Sequence, residues 1–382
     1  MTELKVDNIT NLAGSGKPNL PVAPTVGSNA AISTLNTHSY TSSGTEPSSP
    51  KNGALWWDSA NDKVKVYIDS KWKTISLNAS SAPADNAWSG DRGVVSGRYD
   101  ASNAAASNEI QRFDITTQGN SVDFGDLTTQ PIYQLMAGSS ARTLSGGGYN
   151  LANNTRSNVI DYFSPATPGN AQDFGDLTVA RNMKGAHSNG TRCLWCGGMD
   201  SGFLNTVDYS TIANTGNATD FGDLSSAAAR GTQGSTGDAT RAVHALSLEG
   251  NDATVDYFTY ASAGNATDFG DLTRNGANVG GCADATRAVF SGAANATNDE
   301  VIDYLTVQST GNATDFGDLN THAATPGACA NATRGITLGN ATSGSKNNMD
   351  YYTIQTAANA ADFADLVNTL ELQPAAASGA AS

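Results

Sequence analysis

The pentapeptide Asp-Phe-Gly-Asp-Leu occurs five times, centred on Phe124, Phe174, Phe221, Phe269 and Phe316, and Asp362-Phe363-Ala364-Asp365-Leu366 is a sixth copy; the steps are 50, 47, 48, 47 and 47 residues. A second mark keeps the same period. Arg92, Arg142, Arg192, Arg241, Arg287 and Arg334 each stand two residues before an apolar residue, from Val94 and Leu144 through to Ile336. Between the two lies an apolar residue followed by Asp-Tyr, as in Ile160-Asp161-Tyr162 and Val207-Asp208-Tyr209, from which the first copy departs as Ile110-Gln111-Arg112. A fixed period means one supersecondary unit laid down repeatedly. Stretches such as Val207 to Ile212 are β-branched and aromatic and run into a Gly-Asn-Ala-Thr turn, which is the chemistry of short strands. A unit of nearly 50 residues with several strands fits a four-stranded propeller blade, so six units predict an all-β, six-bladed β-propeller over residues 80–382.

The order within each unit, Arg, then Gly-Gly (Gly146-Gly147, Gly197-Gly198), then Tyr, then an aromatic, resembles the kelch repeat, with Phe standing where kelch has Trp. The resemblance covers residues from about 85 to 370, although the diglycine is lost in copies such as Gly292-Ala293 and Gly339-Asn340. A propeller must pair its last blade with its first or leave strand edges exposed. The segment Val367 to Gln373 has no unit after it and is expected to supply the missing strand of the first blade, with Ala375 to Ser382 trailing from this latch.

Residues before about 80 carry no repeat. Residues 1–50, rich in Pro, Ser, Gly and Asn, read as extended chain that needs a partner. Leu55-Trp56-Trp57-Asp58, Lys63 to Ile68 and Trp72 to Leu77 read as a three-strand meander within residues 51–79, whose Trp56, Trp57 and Trp72 favour packing on another surface. The opening Leu4-Lys5-Val6-Asp7-Asn8-Ile9, followed by Gly14-Ser15-Gly16-Lys17-Pro18-Asn19, resembles the start of tail-fibre and other virion proteins of tailed phages, especially marine cyanophages. The tryptophan-rich meander and the Gly-Asn-Ala-Thr-Asp-Phe-Gly-Asp-Leu repeat are similar to modules of the same class. The resemblance implies attachment to other virion proteins, tail or capsid, through the amino-terminal part, with Leu4, Val6, Ile9, Trp56, Trp57 and Trp72 as attachment residues. It also implies an outward-facing distal domain in a phage particle, with a homo-oligomer, such as a trimer, suited to a fibre.

Composition narrows the function classes. A formal charge of -15 disfavours nucleic acid, which is bound by clustered Lys and Arg, and disfavours an anionic membrane surface as well. The six repeat motifs hold 12 of the 36 acidic residues, so the acidity is largely a repeat signature. No run of about 18 apolar residues is present, and the opening residues lack the apolar stretch of a signal peptide; neither export by that route nor membrane insertion is expected. Cys193, Cys196, Cys282 and Cys329 are too few for a disulfide framework and are expected to be reduced packing residues. The Asn-x-Thr triplets read as turns in the absence of a signal peptide.

Motifs that invite chemistry lack their context. Asp-Phe-Gly occurs five times without the Gly-rich loop, lysine and His-Arg-Asp loop of a kinase. The structural reading is that the Phe fills the gap between blades while the two acids cap turns or pair with the repeated Arg. Calcium on pairs such as Asp220 and Asp223 is the rival, but two carboxylates are few for an ion that takes about 6–8 oxygens. Gly14-Ser15-Gly16-Lys17-Pro18 is a poor phosphate loop, and His38, His187, His244 and His322 show no metal spacing. No catalytic, cofactor or metal residues are expected. The reading is a non-enzymatic virion component displaying loops toward a host-surface glycan or receptor. Purely structural bracing of the particle, and a polysaccharide-degrading enzyme with paired carboxylates, are the alternatives. The least regular loops, Tyr99 to Glu109, Tyr149 to Asn158 and Met199 to Leu204, nominate Tyr99, Tyr149, Met199 and Phe203 as contacts, with Trp195 and Tyr149 as stacking surfaces for sugar rings.

Overall fold

The structure is a computed structural model. It describes residues 25–26, 30–31, 41–51, 54–58, 63–68, 71–74, 90–97, 99–100, 105–226, 234–245, 253–275, 278–293, 300–320, 322–323, 326–339, 347–368 and 374–379. Every regular element among them is a β-strand, and the chain divides into two compact units, residues 1–82 and 83–382.

In the first unit Thr25–Val26 pairs with Ala30–Ala31, and a four-stranded sheet is built from Thr41–Ser43, Leu55–Asp58, Lys63–Ile68 and Lys71–Thr74. The expected meander therefore has a fourth strand, Thr41–Ser43, lying parallel to Leu55–Asp58 and drawn from the segment read as extended chain. Its carbonyls meet a need of the meander: the buried Trp56 donates its indole N–H to Ser43 O at 3.0 Å. Trp56, Trp72 and Tyr67 form an edge-to-face series on one side of the sheet, with the Lys65 ammonium 4.5 Å above the Trp56 ring. The Trp57 side chain and residues Leu4, Val6 and Ile9 lie outside the described residues.

The second unit is propeller-like: among the described residues it holds six four-stranded antiparallel sheets, one per sequence repeat. The second sheet shows the pattern, Leu135–Gly138, Thr143–Gly146, Val159–Phe163 and Gln172–Asp176 in order from its first strand to its fourth. First strands of successive sheets touch one another, and several are made of small residues, as in Gly280-Gly281-Cys282-Ala283 and Gly327-Ala328-Cys329-Ala330. The first sheet takes its first strand from the far end of the chain: Ala375–Gly379 pairs antiparallel with Arg92–Ser96 and touches the first strands of the second and sixth sheets. This is not the segment the sequence suggested. Of Val367 to Gln373, residues 369–373 lie outside the described residues, and the pairing falls instead on the alanine-rich stretch assigned to a trailing tail. Crowding among the first strands explains the choice, because Ala377 and Ser378 are small enough to be fully covered there.

The repeated marks are ties between neighbouring sheets. The fourth strand of each sheet carries a β-bulge, so that Gly125 opposes Ile110 and Asp123 opposes Gln111 while Phe124 is the extra residue. The bulge recurs in the other five sheets, and all six phenylalanines are buried. Phe221 packs edge-to-face on Tyr209 of its own sheet and on Phe258 of the next, filling the gap as expected. The Gly-Asn-Ala turn of one sheet then docks on the Phe-Gly-Asp of the sheet before it. Gly264 N–H donates to Phe221 O at 2.7 Å, Ala266 N–H to Asp223 O at 2.8 Å, and Asp223 N–H to Asn265 Oδ1 at 3.1 Å. In the first five sheets this close approach excludes a side chain at the bulge glycine: a Cβ on Gly222, whose φ is +147°, would lie 2.3 Å from Gly264 O.

The arginines do not pair with the motif carboxylates. In the second to sixth sheets each instead lays its guanidinium on the Tyr of its own sheet, at 4.4–5.0 Å. Its Nη1 donates to a carbonyl at the end of the third strand of the next sheet: Arg142 to Ile212, Arg192 to Tyr260, Arg241 to Val307, Arg287 to Ile354, and Arg334 to Ile115 of the first sheet. Carbonyls suit the guanidinium here because its other face is already given to the Tyr ring, which prefers a cation. The motif acids likewise act through their backbone groups at the turn. A third tie runs through the buried Asp of the third strand: Asp208 accepts from Thr178 N–H and Oγ1–H, at 3.1 and 2.7 Å, and from Arg181 Nη2 at 3.1 Å. In the first sheet Gln111 replaces this Asp, and Ser121 relays, donating to Gln111 Oε1 and accepting from Val367 N–H.

Candidate functional site

Antiparallel order puts two kinds of connection at opposite ends of every sheet. One end carries the tight turns before the arginines of the second to sixth sheets and the Gly-Asn-Ala turns. There Asp238, Asp284 and Asn331 make the same bonds, each side-chain Oδ1 accepting from the N–H groups two and three residues on. The other end carries the hairpins between second and third strands, and among the described residues these differ between the first three sheets. A glycine five residues after the arginine opens the hairpin in the left-handed conformation: Gly97, Gly147, Gly197, Gly292 and Gly339, with φ between +57° and +96°.

In the first sheet the hairpin contains the short pair Tyr99–Asp100 with Ala105–Ala106; the Tyr99 side chain lies outside the described residues. In the second sheet Tyr149–Asn150 is the centre strand of three, between Pro131–Ile132 and Thr155–Arg156. In the third sheet the strands Arg192–Met199 and Phe203–Thr211 extend further and meet at Asp200 to Gly202, with Met199 directly opposite Phe203. Much of the corresponding hairpins in the fourth to sixth sheets lies outside the described residues.

The second and third hairpins meet at an ion pair. Arg156 Nη1 lies 3.7 Å from Asp200 Oδ1, and the Arg156 guanidinium carbon stands 6.0 Å from the centre of the Tyr149 ring. Asn154, itself left-handed at φ +54°, accepts from the Tyr149 hydroxyl at 3.1 Å. Tyr149, Met199 and Phe203 are all half-buried, and Met199 exchanges two backbone hydrogen bonds of 3.0 Å with Asn182. Next to Ile132, the strand partner of Tyr149, Tyr133 is held at φ +60°, an uncommon conformation for a bulky side chain, and its carbonyl accepts from Met183 N–H. Arg156 and Asp200 escaped the sequence reading because no period marks them.

Trp195 is no stacking surface. It is fully buried, its indole N–H donates to Ser210 Oγ at 3.0 Å, and its ring occupies the space that a Cβ on Gly146 would need. The sheet gap at this point takes a large ring because the facing residue is glycine.

Between the first strands lies a cavity of about 30 Å³, lined by Leu135, Met136, Ala186, Ser235, Gly281 and Ala376 among others, with every first strand represented. That is room for about two water molecules. Ser235, His244 and Asp256 stand in a row across three strands of the fourth sheet, an arrangement with the residue types of a hydrolase triad. All three are buried, Ser235 Oγ is hydrogen-bonded to His244 Nδ1, and burial pulls the imidazole pKa down to about 3, so the row is a buried polar ladder with no space for a substrate beside it. His187, paired with the Tyr260 hydroxyl, is likewise held neutral with a pKa of about 3. Burial lowers Lys184 to about 8.

No protein-family model matches the chain, and no curated protein matches it in sequence. Among the described residues no group of three or more His, Cys, Asp or Glu is placed to hold a metal ion, and no helix is long and apolar enough to cross a membrane. All four cysteines are free and buried, and burial raises their thiol pKa values, with Cys196 and Cys282 near 12.

Proposed function

We propose that this chain is a non-enzymatic virion protein of a tailed phage, a tail-fibre or tail-associated component. In this reading residues 83–382 form a closed, six-bladed, kelch-like propeller displayed outward for host-surface glycan recognition, and the amino-terminal unit attaches to other virion proteins. Closure is supported by the arginine ties, which step from each sheet to the next and return from Arg334 to Ile115, and by the strand Ala375–Gly379 seated in the first sheet. The functional part is carried by one observation, the contrast between the two ends of the sheets among the described residues: the same Asx-capped turn before Arg192, Arg241, Arg287 and Arg334 at one end, and hairpins of different length and chemistry in the first three sheets at the other. Rigid scaffolds with variable loops at one end suit display.

The test is adsorption of the labelled full chain to host cells of the particle, with competition against infection read in parallel. Saturable binding that blocks infection is expected. A folded chain that neither binds nor competes would overturn receptor recognition in favour of a bracing role within the particle.

A further inference from the structure

We propose that the Tyr149, Arg156 and Asp200 cluster binds a neutral saccharide through two adjacent hydroxyl groups. The inference rests on the reading of this end of the propeller as a glycan-recognition surface and adds the ligand class and the residues that select it.

Three features point the same way. The half-exposed Tyr149 ring is fixed in position, since it sits on the centre strand of a three-stranded sheet and its hydroxyl is anchored to Asn154. A fixed aromatic face takes the C–H side of a sugar ring at little entropic cost. Over one face of that ring, leaving the other to the sugar, stands Arg156, whose Nη1 faces Asp200 across 3.7 Å, well beyond the roughly 2.7–2.9 Å of a charge-assisted hydrogen bond. Both groups therefore keep hydrogen-bonding capacity toward a third party, and their side chains are 28% and 45% exposed. A guanidinium only donates and a carboxylate only accepts, whereas a hydroxyl does both. Two neighbouring hydroxyls satisfy the pair at once, one accepting from Arg156 while the other donates to Asp200. The backbone supplies the third feature. Tyr133, adjoining the strand that carries Tyr149, is held in the left-handed region, and strain of that kind in non-glycine residues gathers at ligand sites.

Charge selects among saccharides. Residues 83–382 hold 14 Lys and Arg against 30 Asp and Glu, a formal charge of -16, and Asp200 stands at the site itself. A uronate or sialylated chain approaches against that field, and a neutral chain does not.

The experiment uses the full chain and host cells that adsorb the particle, with cells before and after mild periodate oxidation, which cleaves adjacent diols. Envelope polysaccharide separated by anion exchange into neutral and acidic fractions serves as soluble competitor. Wild type is expected to lose binding on oxidised cells and to be competed by the neutral fraction. Tyr149→Ala and Asp200→Asn are expected to weaken binding at least about tenfold, the effect of one good lost contact, with melting temperature unchanged in Asp200→Asn. Asp200→Asn changes only an exposed group, so it reports on the site even where Tyr149→Ala perturbs the hairpin. Undiminished binding to oxidised cells, competition by the acidic fraction alone, or wild-type affinity in both variants would overturn the proposal while leaving glycan or receptor recognition by other loops in place. Absence of wild-type binding to untreated cells would instead overturn the broader reading.

Discussion

Acid should destabilise the sheet unit through two histidines. His187 and His244 are buried, and burial holds each imidazole at a pKa of about 3 against an ordinary 6.5. The unfolded chain takes up a proton on each as pH falls below 6.5, and the folded chain refuses it. The stability is thus present in full above pH 6.5 and is lost as pH falls toward 3, with a limiting slope of about 1.4 kcal/mol per pH unit for each group. Between pH 7 and pH 5 linkage gives a loss of about 2 kcal/mol for each histidine, or about 4 kcal/mol for both. The carboxyls of Asp161 and Asp303 work in the opposite direction, since burial raises them and the folded state protonates first as pH falls. The comparison must therefore be between proteins that share those carboxyls. The double variant His187→Gln, His244→Gln is expected to be less stable at pH 7, yet its drop between pH 7 and pH 5 should be smaller than that of wild type by about 4 kcal/mol. Urea unfolding followed by tryptophan fluorescence at pH 7, 6 and 5 measures this. Equal losses in the two proteins would refute the argument that neutral, buried imidazoles set the acid limit.

Other substitutions probe the ties between sheets. Gly222→Ala should destabilise by more than about 2 kcal/mol, because its Cβ meets a backbone carbonyl at 2.3 Å, whereas Gly264→Ala, with open space around its Cβ, should stay within about 0.5 kcal/mol by the same unfolding assay. Arg287→Met keeps much of the aliphatic stem but loses the bond to Ile354 O and the contact with Tyr304. A loss of about 1–2 kcal/mol is expected, read as a lower melting temperature. Ending the chain at Pro374 uncovers the edge of Arg92–Ser96, and light scattering should then show association or aggregation at concentrations where the full chain remains unassociated.

The sheet pattern was legible because the residues that tie neighbouring sheets together must recur with the sheets. Phe124 and its counterparts, the arginines and the Asp-Tyr pairs announce their period for that reason. The partners were harder to read. A guanidinium near many acids invites an ion-pair reading, and nothing in sequence shows that Arg142 finds Ile212 O, since carbonyls are present at every residue. Asp161 and Asp208 read as strand marks, and their role as acceptors for Thr128 and Thr178 depends on two repeats meeting in space. Ala375 to Gly379 resembles a tail because alanine is a weak strand former, and only the crowding among first strands makes it the right choice. At the hairpin end, Tyr149, Met199 and Phe203 were found through the irregularity of their loops. Arg156 and Asp200 lie on different repeats, and their meeting is a matter of tertiary geometry.

The nine residues of Gly-Asn-Ala-Thr-Asp-Phe-Gly-Asp-Leu are both plug and socket: the first three enter the preceding sheet, and the Phe-Gly-Asp receives the next. These main-chain bonds repeat at the joints from the first and second sheets through to the fourth and fifth, while the side chains that fill the gaps differ, Trp195 against Gly146 for one. A hairpin exchanged among the middle repeats would keep the main-chain joint and leave only the gap side chains to be matched. The first repeat is the exception. Gln111, Arg112 and Ser121 stand at its joint in place of the usual residues, and its first strand comes from the distant Ala375–Gly379. Changes within the hairpins leave these joints untouched, whereas Arg92–Ser96 and Ala375–Gly379, from opposite ends of the array, must match each other.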